Sequence, residues 1–363
     1  VRGEQSLLGA SGRRACEHTF VPWSNLTLDG DEQRQLPGYR DPAAVRRFEA
    51  PEALDMRFYE VHAKSVLNRV PPQSRMPFRW TINPYRGCSH ACVFCFARPT
   101  HTFLGFNPGR DFEREIVVKV NAPEVLRVEL ARRSWKREHV ALGTNTDPYQ
   151  WVEGRYRLME GIWEALRDAA NPCSVLTKSP LLLRDLPLML EIAERASFSA
   201  CLSIPTLDEK AWRATEPHTP SPRARLEAVA ELNRAGIPTG VLIAPLMPGI
   251  NDAPHQMEPL LEMAAQAGAT SVGGVALHLR GEVRGVFMDW LRSQRPDLVP
   301  RYEELYRRRA YAPQEERERL ARMVRRGGAP SAFRLRGRAP EEDADAELAF
   351  ASSTPAARQE SLF

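Results

Sequence analysis

The sequence predicts an α/β fold: a partial (β/α)6 TIM-like barrel with an N-terminal extension and a C-terminal helical segment that runs into a disordered tail. Three observations predict it. Six short apolar runs between residues 79 and 279 alternate with stretches of helical periodicity. The runs are mostly continuous in apolar residues rather than alternating, the pattern of parallel strands covered on both faces. Six such units are too few to close an eight-stranded barrel, so the sheet is expected to stay open, joined by right-handed crossovers.

The elements follow in order. Residues 1–75 are polar and irregular, punctuated by prolines as at Val70-Pro71-Pro72, and read as an extension to a core over 76–285. The first strand is expected at Arg79–Asn83. Glu115–Val120 reads either as a further strand or as the lead-in to a helix over Pro123–Arg133. Strands at His139–Gly143, Cys173–Thr177, Phe198–Ile204, Pro238–Pro245 and Ser271–Leu279 complete the six. The helices between them are expected at Arg155–Ala170, Leu181–Ala196, Ser221–Ala235 and Pro254–Ala267. Ser221-Pro222 is an N-cap followed by proline, and Gly236 and Gly268 are helix stops. Residues 286–326 are Arg- and Glu-rich and helical in pattern. Beyond Gly327-Gly328, residues 327–363 form a Pro/Ala/Glu-rich stretch that reads as disordered.

With 363 residues, 43% of them hydrophobic, the chain has material for a substantial core. No apolar run approaches the length of a membrane span, and the first residues lack a basic-plus-apolar leader. The expectation is a cytoplasmic protein with no membrane partner. A formal charge of +4 over this length selects no class of partner.

Six cysteines are present, and three of them fall within eight residues. In a reducing compartment this clustering points to metal binding rather than to disulfides. The scattered Cys16, Cys173 and Cys201 are expected to pack as small hydrophobes. The clustered segment reads Asn83-Pro84-Tyr85-Arg86-Gly87-Cys88-Ser89-His90-Ala91-Cys92-Val93-Phe94-Cys95-Phe96 and follows the first strand directly. It is therefore a loop at the carboxyl end of the sheet, where chemistry gathers in such folds. Three thiolates from Cys88, Cys92 and Cys95 can each take one iron of a [4Fe–4S] cubane, with Gly87 letting the backbone curl. A cubane ordinarily takes four thiolates, and no fourth Cys is nearby, so one iron stays open for an exchangeable ligand. The competing reading is a Cys3His zinc site through His90 or His101. Zinc more often draws on two separated pairs of ligands, and no second pair exists.

The Cys-x-x-x-Cys-x-x-Cys-aromatic motif after the first strand resembles the signature of radical S-adenosylmethionine (SAM) enzymes. More narrowly, Met76-Pro77-Phe78-Arg79-Trp80 through Ala97-Arg98-Pro99-Thr100-His101 resembles the spore photoproduct lyase-related group called "DNA repair photolyase", and within it an actinobacterial-type subfamily. So do Gly143-Thr144-Asn145-Thr146-Asp147-Pro148-Tyr149-Gln150 and Leu176-Thr177-Lys178. The resemblance covers about residues 55–325. It implies an enzyme of lyase or oxidoreductase type whose cofactors are a [4Fe–4S] cluster and SAM, supplied with electrons by an external low-potential donor. Reductive cleavage of SAM would give methionine and a 5′-deoxyadenosyl radical.

The resemblance also implies roles for single residues. Phe96 occupies the aromatic position that lies near the adenine, or else it packs on the cluster loop. Gly143, Thr144, Asn145, Thr146 and Asp147 stand where the superfamily contacts the SAM amino group, although Asn/Asp/Pro runs are also ordinary turns. Lys178 is placed to meet the SAM carboxylate or a substrate anion, or is a solvated charge. Ser203 is placed to reach the ribose. Pro245 and Gly249 shape the loop after the fifth strand, and His278 and Arg280 end the sixth.

Two departures separate the chain from spore photoproduct lyase itself. Phe94 and Phe96 stand where that enzyme has tyrosines, and no Cys occurs in Thr144–Asp147, where it carries a hydrogen-donating thiol. Nucleic acid remains a candidate partner through Arg307-Arg308-Arg309 and Arg322 to Arg326. The interleaved Glu303, Glu304, Glu315, Glu316 and Glu318 instead give these runs the pattern of a salt-bridged, solvated face. Two alternatives stand beside this reading: a lyase-like activity that repairs DNA photoproducts, and a non-catalytic cluster- or zinc-binding nucleic-acid module.

Overall fold

The structure is a computed structural model, and it describes residues 26–27, 33–53, 55–74 and 76–325. The expected disordered tail, Arg326 and Cys16 lie outside the described residues.

In chain order, β1 (Leu26–Thr27), β2 (Gln33–Arg34), β3 (Ala43–Phe48) and β4 (Arg57–Val61) come first. β5 (Leu67–Arg69) pairs antiparallel with β6 (Trp80–Ile82), and β7 (Tyr85–Arg86) follows at once. After the cysteine segment come a 3-10 turn at Arg98–Leu104, α1 (Asp111–Arg114), β8 (Glu115–Lys119) and α2 (Ala122–Leu130). The alternating part holds β9 (Val140–Leu142), α3 (Glu153–Tyr156), α4 (Leu158–Asp168), β10 (Cys173–Thr177), α5 (Leu186–Arg195) and β11 (Phe198–Ser203). It continues with α6 (Glu209–Thr215), α7 (Pro222–Arg234), β12 (Thr239–Leu246), α8 (Pro254–Gln266) and β13 (Val272–Ala276). α9 (Glu282–Gln294), α10 (Val299–Leu305) and α11 (Gln314–Arg325) follow.

The large sheet has the order β13-β12-β11-β10-β9-β6-β5. Its six strands from β6 to β13 are parallel and adjacent in chain order, as successive βα units require. Among the described residues β13 has no strand on its far side, so the sheet stays open as the count of units predicts. Burial alternates along β10 and β11. Cys173, Val175, Phe198, Ala200 and Leu202 are buried beneath helices, while Ser174, Leu176, Ser199 and Cys201 are half-exposed on the face that carries Lys178. One face is thus packed and the other is the inner wall of an unclosed barrel. The core lies between the sheet and its helices, with Trp163, Ile162, Met189, Val229 and Leu260 almost inaccessible to solvent.

A second sheet, ordered β1-β3-β4-β8-β7 with β2 on β3, settles the reading of Glu115–Val120. That segment is a strand that pairs in parallel with β4 and then runs into α2. The stretch read as irregular therefore supplies ordered strands. Their charged residues hid them: in β3, Ala43, Val45 and Phe48 are buried while Arg46 pairs with Glu60 at 3.1 Å.

The helix boundaries differ where local chemistry intervenes. The stretch Arg155–Ala170 breaks at Arg157, whose φ of +52° ends α3, and the Glu153 carboxylate accepts the Leu158 and Met159 N–H groups at 3.1 Å to start α4. The stretch Leu181–Ala196 opens as a 3-10 turn at Pro180–Asp185, because Pro187 has no N–H to continue one helix through. Ser221 caps α7 as expected, accepting the Ala224 N–H at 3.2 Å. α11 lies on β13, with Leu320 and Val324 joining the main core. Among the described residues no helix is long and apolar enough to cross a membrane.

Candidate functional site

The cysteine loop is built between the two sheets. β6 belongs to the large sheet, and β7, three residues on, pairs with β8 in the small one. Gly87 makes the turn with φ +82°. A Cβ there would sit 2.9 Å from His101 Cε1, Ile116 Cδ1 and the Phe112 carbonyl, so only glycine fits. Cys88 N–H then donates to Phe112 O at 2.8 Å. Arg98, 1% exposed, ties the loop from behind. Its guanidinium donates to the carbonyls of Cys92 (3.0 Å), Ala91 (3.2 Å) and Gly109 (2.7 Å).

All three thiols are buried or nearly so. Burial, with the charges of Asp147 and Cys95, pushes Cys88 up to about 12, against the pull of the Asp147 and His90 N–H groups directed at its sulfur. Burial and Glu216 push Cys92 well above its ordinary value; its Sγ lies 4.0 Å from Glu216 Oε1. Burial raises Cys95 too, opposed by the N–H groups of Ala97 and Arg98. Cys88 feels the charge of Cys95, and Cys92 that of both others, so the three share one small region. The donor set fits a three-thiolate cluster: backbone N–H groups aimed at sulfur are the partners that thiolate-bound clusters use. Among the described residues no three Cys, His, Asp or Glu side chains gather closely enough to share one ion. Thiolates that each take a different iron of a cubane have no need of such single-point convergence. Of the histidines weighed as zinc ligands, His101 holds Glu115 O through Nε2 at 2.8 Å and keeps a buried Nδ1 without a hydrogen-bond partner among the described residues, and His90 Nδ1 lies 3.4 Å from Asp147 Oδ2.

The strand ends converge on this loop. Gly143 has φ +76°, and a Cβ would lie 1.8 Å from Leu176 O, so glycine lets β9 and β10 close up. Thr144 and Asn145 are half-buried. Thr146 is buried and donates to Tyr85 O at 2.8 Å. The Asp147 carboxylate accepts from Thr177 Oγ1 (2.6 Å), Lys178 N (2.7 Å) and Tyr149 N (2.9 Å), sewing the loop after β9 to the end of β10. Of the five residues expected at this strand end, Thr146 and Asp147 are thus engaged within the protein.

Lys178 is not a solvated charge. Its Nζ lies 2.6 Å from Glu216 Oε1 and 2.8 Å from Ser203 Oγ, and 5.7 Å from the ring centre of the buried Phe94. Ser203 also donates to Ala244 O at 3.3 Å. Phe96 is 59% exposed beside the loop. His278, just beyond β13, stacks on Tyr311 with ring centres 4.2 Å apart.

Sequence reasoning missed Glu216 and Arg225. Burial alone would raise the Glu216 carboxyl, but Arg225 and Lys178 outweigh it and hold the group below the usual carboxylate range. Arg225, fully buried, reaches Glu216 Oε2 at 2.9 Å while its N–H groups donate to Ser203 O and Thr219 Oγ1. Glu216 stands in Glu216-Pro217-His218-Thr219-Pro220, which reads as a polar turn, so no local signal marks it. Beside it a cleft of about 450 Å³ is lined by His90, Tyr149, Arg155, Ser179, His218 and Thr219, among others.

Comparison with known proteins agrees with this geometry. The family model described as "Radical SAM superfamily" matches residues 82–264. An uncharacterised protein of Mycobacterium tuberculosis is 50% identical over 289 residues, covering 80% of this chain and 85% of that one. A radical SAM Nalpha-GlyT isomerase of Pseudomonas phage M6 is 28% identical over 184 residues, 49% of this chain and 36% of its own length. Among solved structures, spore photoproduct lyase complexed with dinucleoside spore photoproduct superposes with a TM-score of 0.54 at 17% identity, covering 74% of this chain and 78% of that one. At that identity the likeness is one of fold.

Proposed function

Because the chain belongs to the radical SAM superfamily, we propose that it is an enzyme in which Cys88, Cys92 and Cys95 hold a [4Fe–4S] cluster and leave one iron to SAM. The observation that supports this most is the buried loop itself, with three thiols and N–H groups directed at Cys88 and Cys95. When bound, the cluster and SAM supply a one-electron cleavage of the sulfonium C–S bond, giving methionine and a 5′-deoxyadenosyl radical.

The chain's own residues bind, orient and shield. Thr144 Oγ1 and the Asn145 amide offer acceptors to the SAM ammonium. Asp147 holds that loop against β10 and fixes the start of the Lys178 turn. Lys178, anchored by Glu216 and Ser203, directs its positive charge at the SAM carboxylate. Ser203 serves the ribose, and the exposed ring of Phe96 provides a surface for the adenine. Electrons arrive from an external low-potential donor.

The test is anaerobic. After reconstitution with iron and sulfide, the reduced protein incubated with SAM should release 5′-deoxyadenosine, read by mass spectrometry. C88A, C92A and C95A should each lose the brown cluster absorbance and fall to background. A fully reconstituted wild-type protein that makes no deoxyadenosine overturns the proposal.

A further inference from the structure

Gln150 is fully buried, and its side-chain amide meets the cysteine loop twice. Oε1 accepts the Ser89 N–H at 2.9 Å, and Nε2 donates to Gly87 O at 3.1 Å. One N–H and one C=O partner fix which way the amide points. These two backbone groups flank Cys88 on either side. The same loop, three residues earlier, aims the Asp147 N–H at the Cys88 sulfur, and the His90 N–H converges there as well. Gly87 makes the turn into this segment with φ +82°. The loop after β9 therefore grips the first cysteine by its backbone and by its sulfur together.

We propose that Gln150 is a positioning residue for the cluster: by bridging Gly87 O and Ser89 N it holds the Cys88 sulfur against the N–H groups of His90 and Asp147. The inference rests on the cluster reading above. N–H groups on a ligating sulfur draw off charge and make the cluster easier to reduce. Loosening the bridge weakens those contacts and moves the reduction potential to more negative values. Q150L removes both hydrogen bonds. Q150E keeps the acceptor for Ser89 but sets an oxygen against Gly87 O.

The experiment compares wild type, Q150L, Q150E and the core control L232A after anaerobic reconstitution. It reads iron and sulfide content, the electron paramagnetic resonance spectrum of the reduced cluster, and its midpoint potential. The expected result is a negative shift for both Gln150 variants of at least tenfold in the redox equilibrium, about 59 mV for one electron, with an altered spectrum. L232A should melt earlier but keep the wild-type potential. Loss of the cluster from a Gln150 variant that still melts cooperatively is the same result in stronger form. If Q150L fails to fold, Q150E, with nearly the same volume, carries the comparison. Wild-type potential and spectrum in the Gln150 variants at full cluster content overturn the clamp alone. A wild-type chain that binds no cluster overturns the cluster reading, and the clamp with it.

Discussion

Glu216 neutralises two cations where there is almost no water, Lys178 at 2.6 Å and Arg225 at 2.9 Å. Removing its charge leaves both cations buried without an anion, and breaking a buried pair in this way costs about 3–5 kcal/mol. E216Q should therefore lower the unfolding free energy obtained from urea titration by about that amount, with K178M restoring part of the loss by removing one stranded charge. Gly143 makes a second prediction at this scale. G143A adds a left-handed strain of roughly 1–2 kcal/mol to a backbone clash with Leu176 O, so a loss of about 3 kcal/mol or more is expected in the same titration. The two kinds of residue differ in how far the sequence displays them. Cys88, Cys92 and Cys95 are neighbours in the chain, so their grouping is visible as a motif. Glu216 acquires its partners from the residue after β10 and from α7, and nothing in its own surroundings announces them.

At the scale of elements, strands were legible where both faces or one whole face are apolar. Cys173–Thr177 is found at its expected bounds; the other expected strands differ by one residue at one or both ends, except the last, which stops at Ala276 rather than Leu279, and β5 was not foreseen. Of the small sheet only β8 was legible, because β3 and β4 carry arginines and glutamates that satisfy one another across strands, Arg46 with Glu60 and Arg57 with Glu115. Such pairs look like exposed loop in one dimension. α11 was expected as a solvated Arg/Glu helix, and its charged face is one. Its other face puts Leu320 and Val324 against β13, with Gly274 leaving the space that Val324 fills. L320A should cost about 2–5 kcal/mol, and amide exchange should quicken first in β13 and α11.

For the whole molecule, the open parallel sheet and the family follow from one pattern of six units and one motif, which is why both could be read before any coordinates. The attachment of the small sheet could not, and it brings a buried cation. Lys119 in β8 is lowered to about 7 by burial and by Arg86, against the pull of Glu129. A lysine depressed in the fold contributes its stability fully above its ordinary value of 10.5 and loses it as pH falls toward 7. Thermal melts across this window should show wild type gaining stability with rising pH, while K119M is flatter over the same range and about 1–3 kcal/mol more stable at pH 7. An unchanged pH slope in K119M would show that the side chain finds water in the native state.

Strand order in the large sheet matches order in the chain, and this bears on how the protein is made. A polypeptide leaving the ribosome amino end first can lay each new strand beside one already in place, with no waiting for distant sequence. The cysteine segment emerges early, before the walls around it exist. The wall behind it is completed last: α11 covers β13 only after synthesis has passed it.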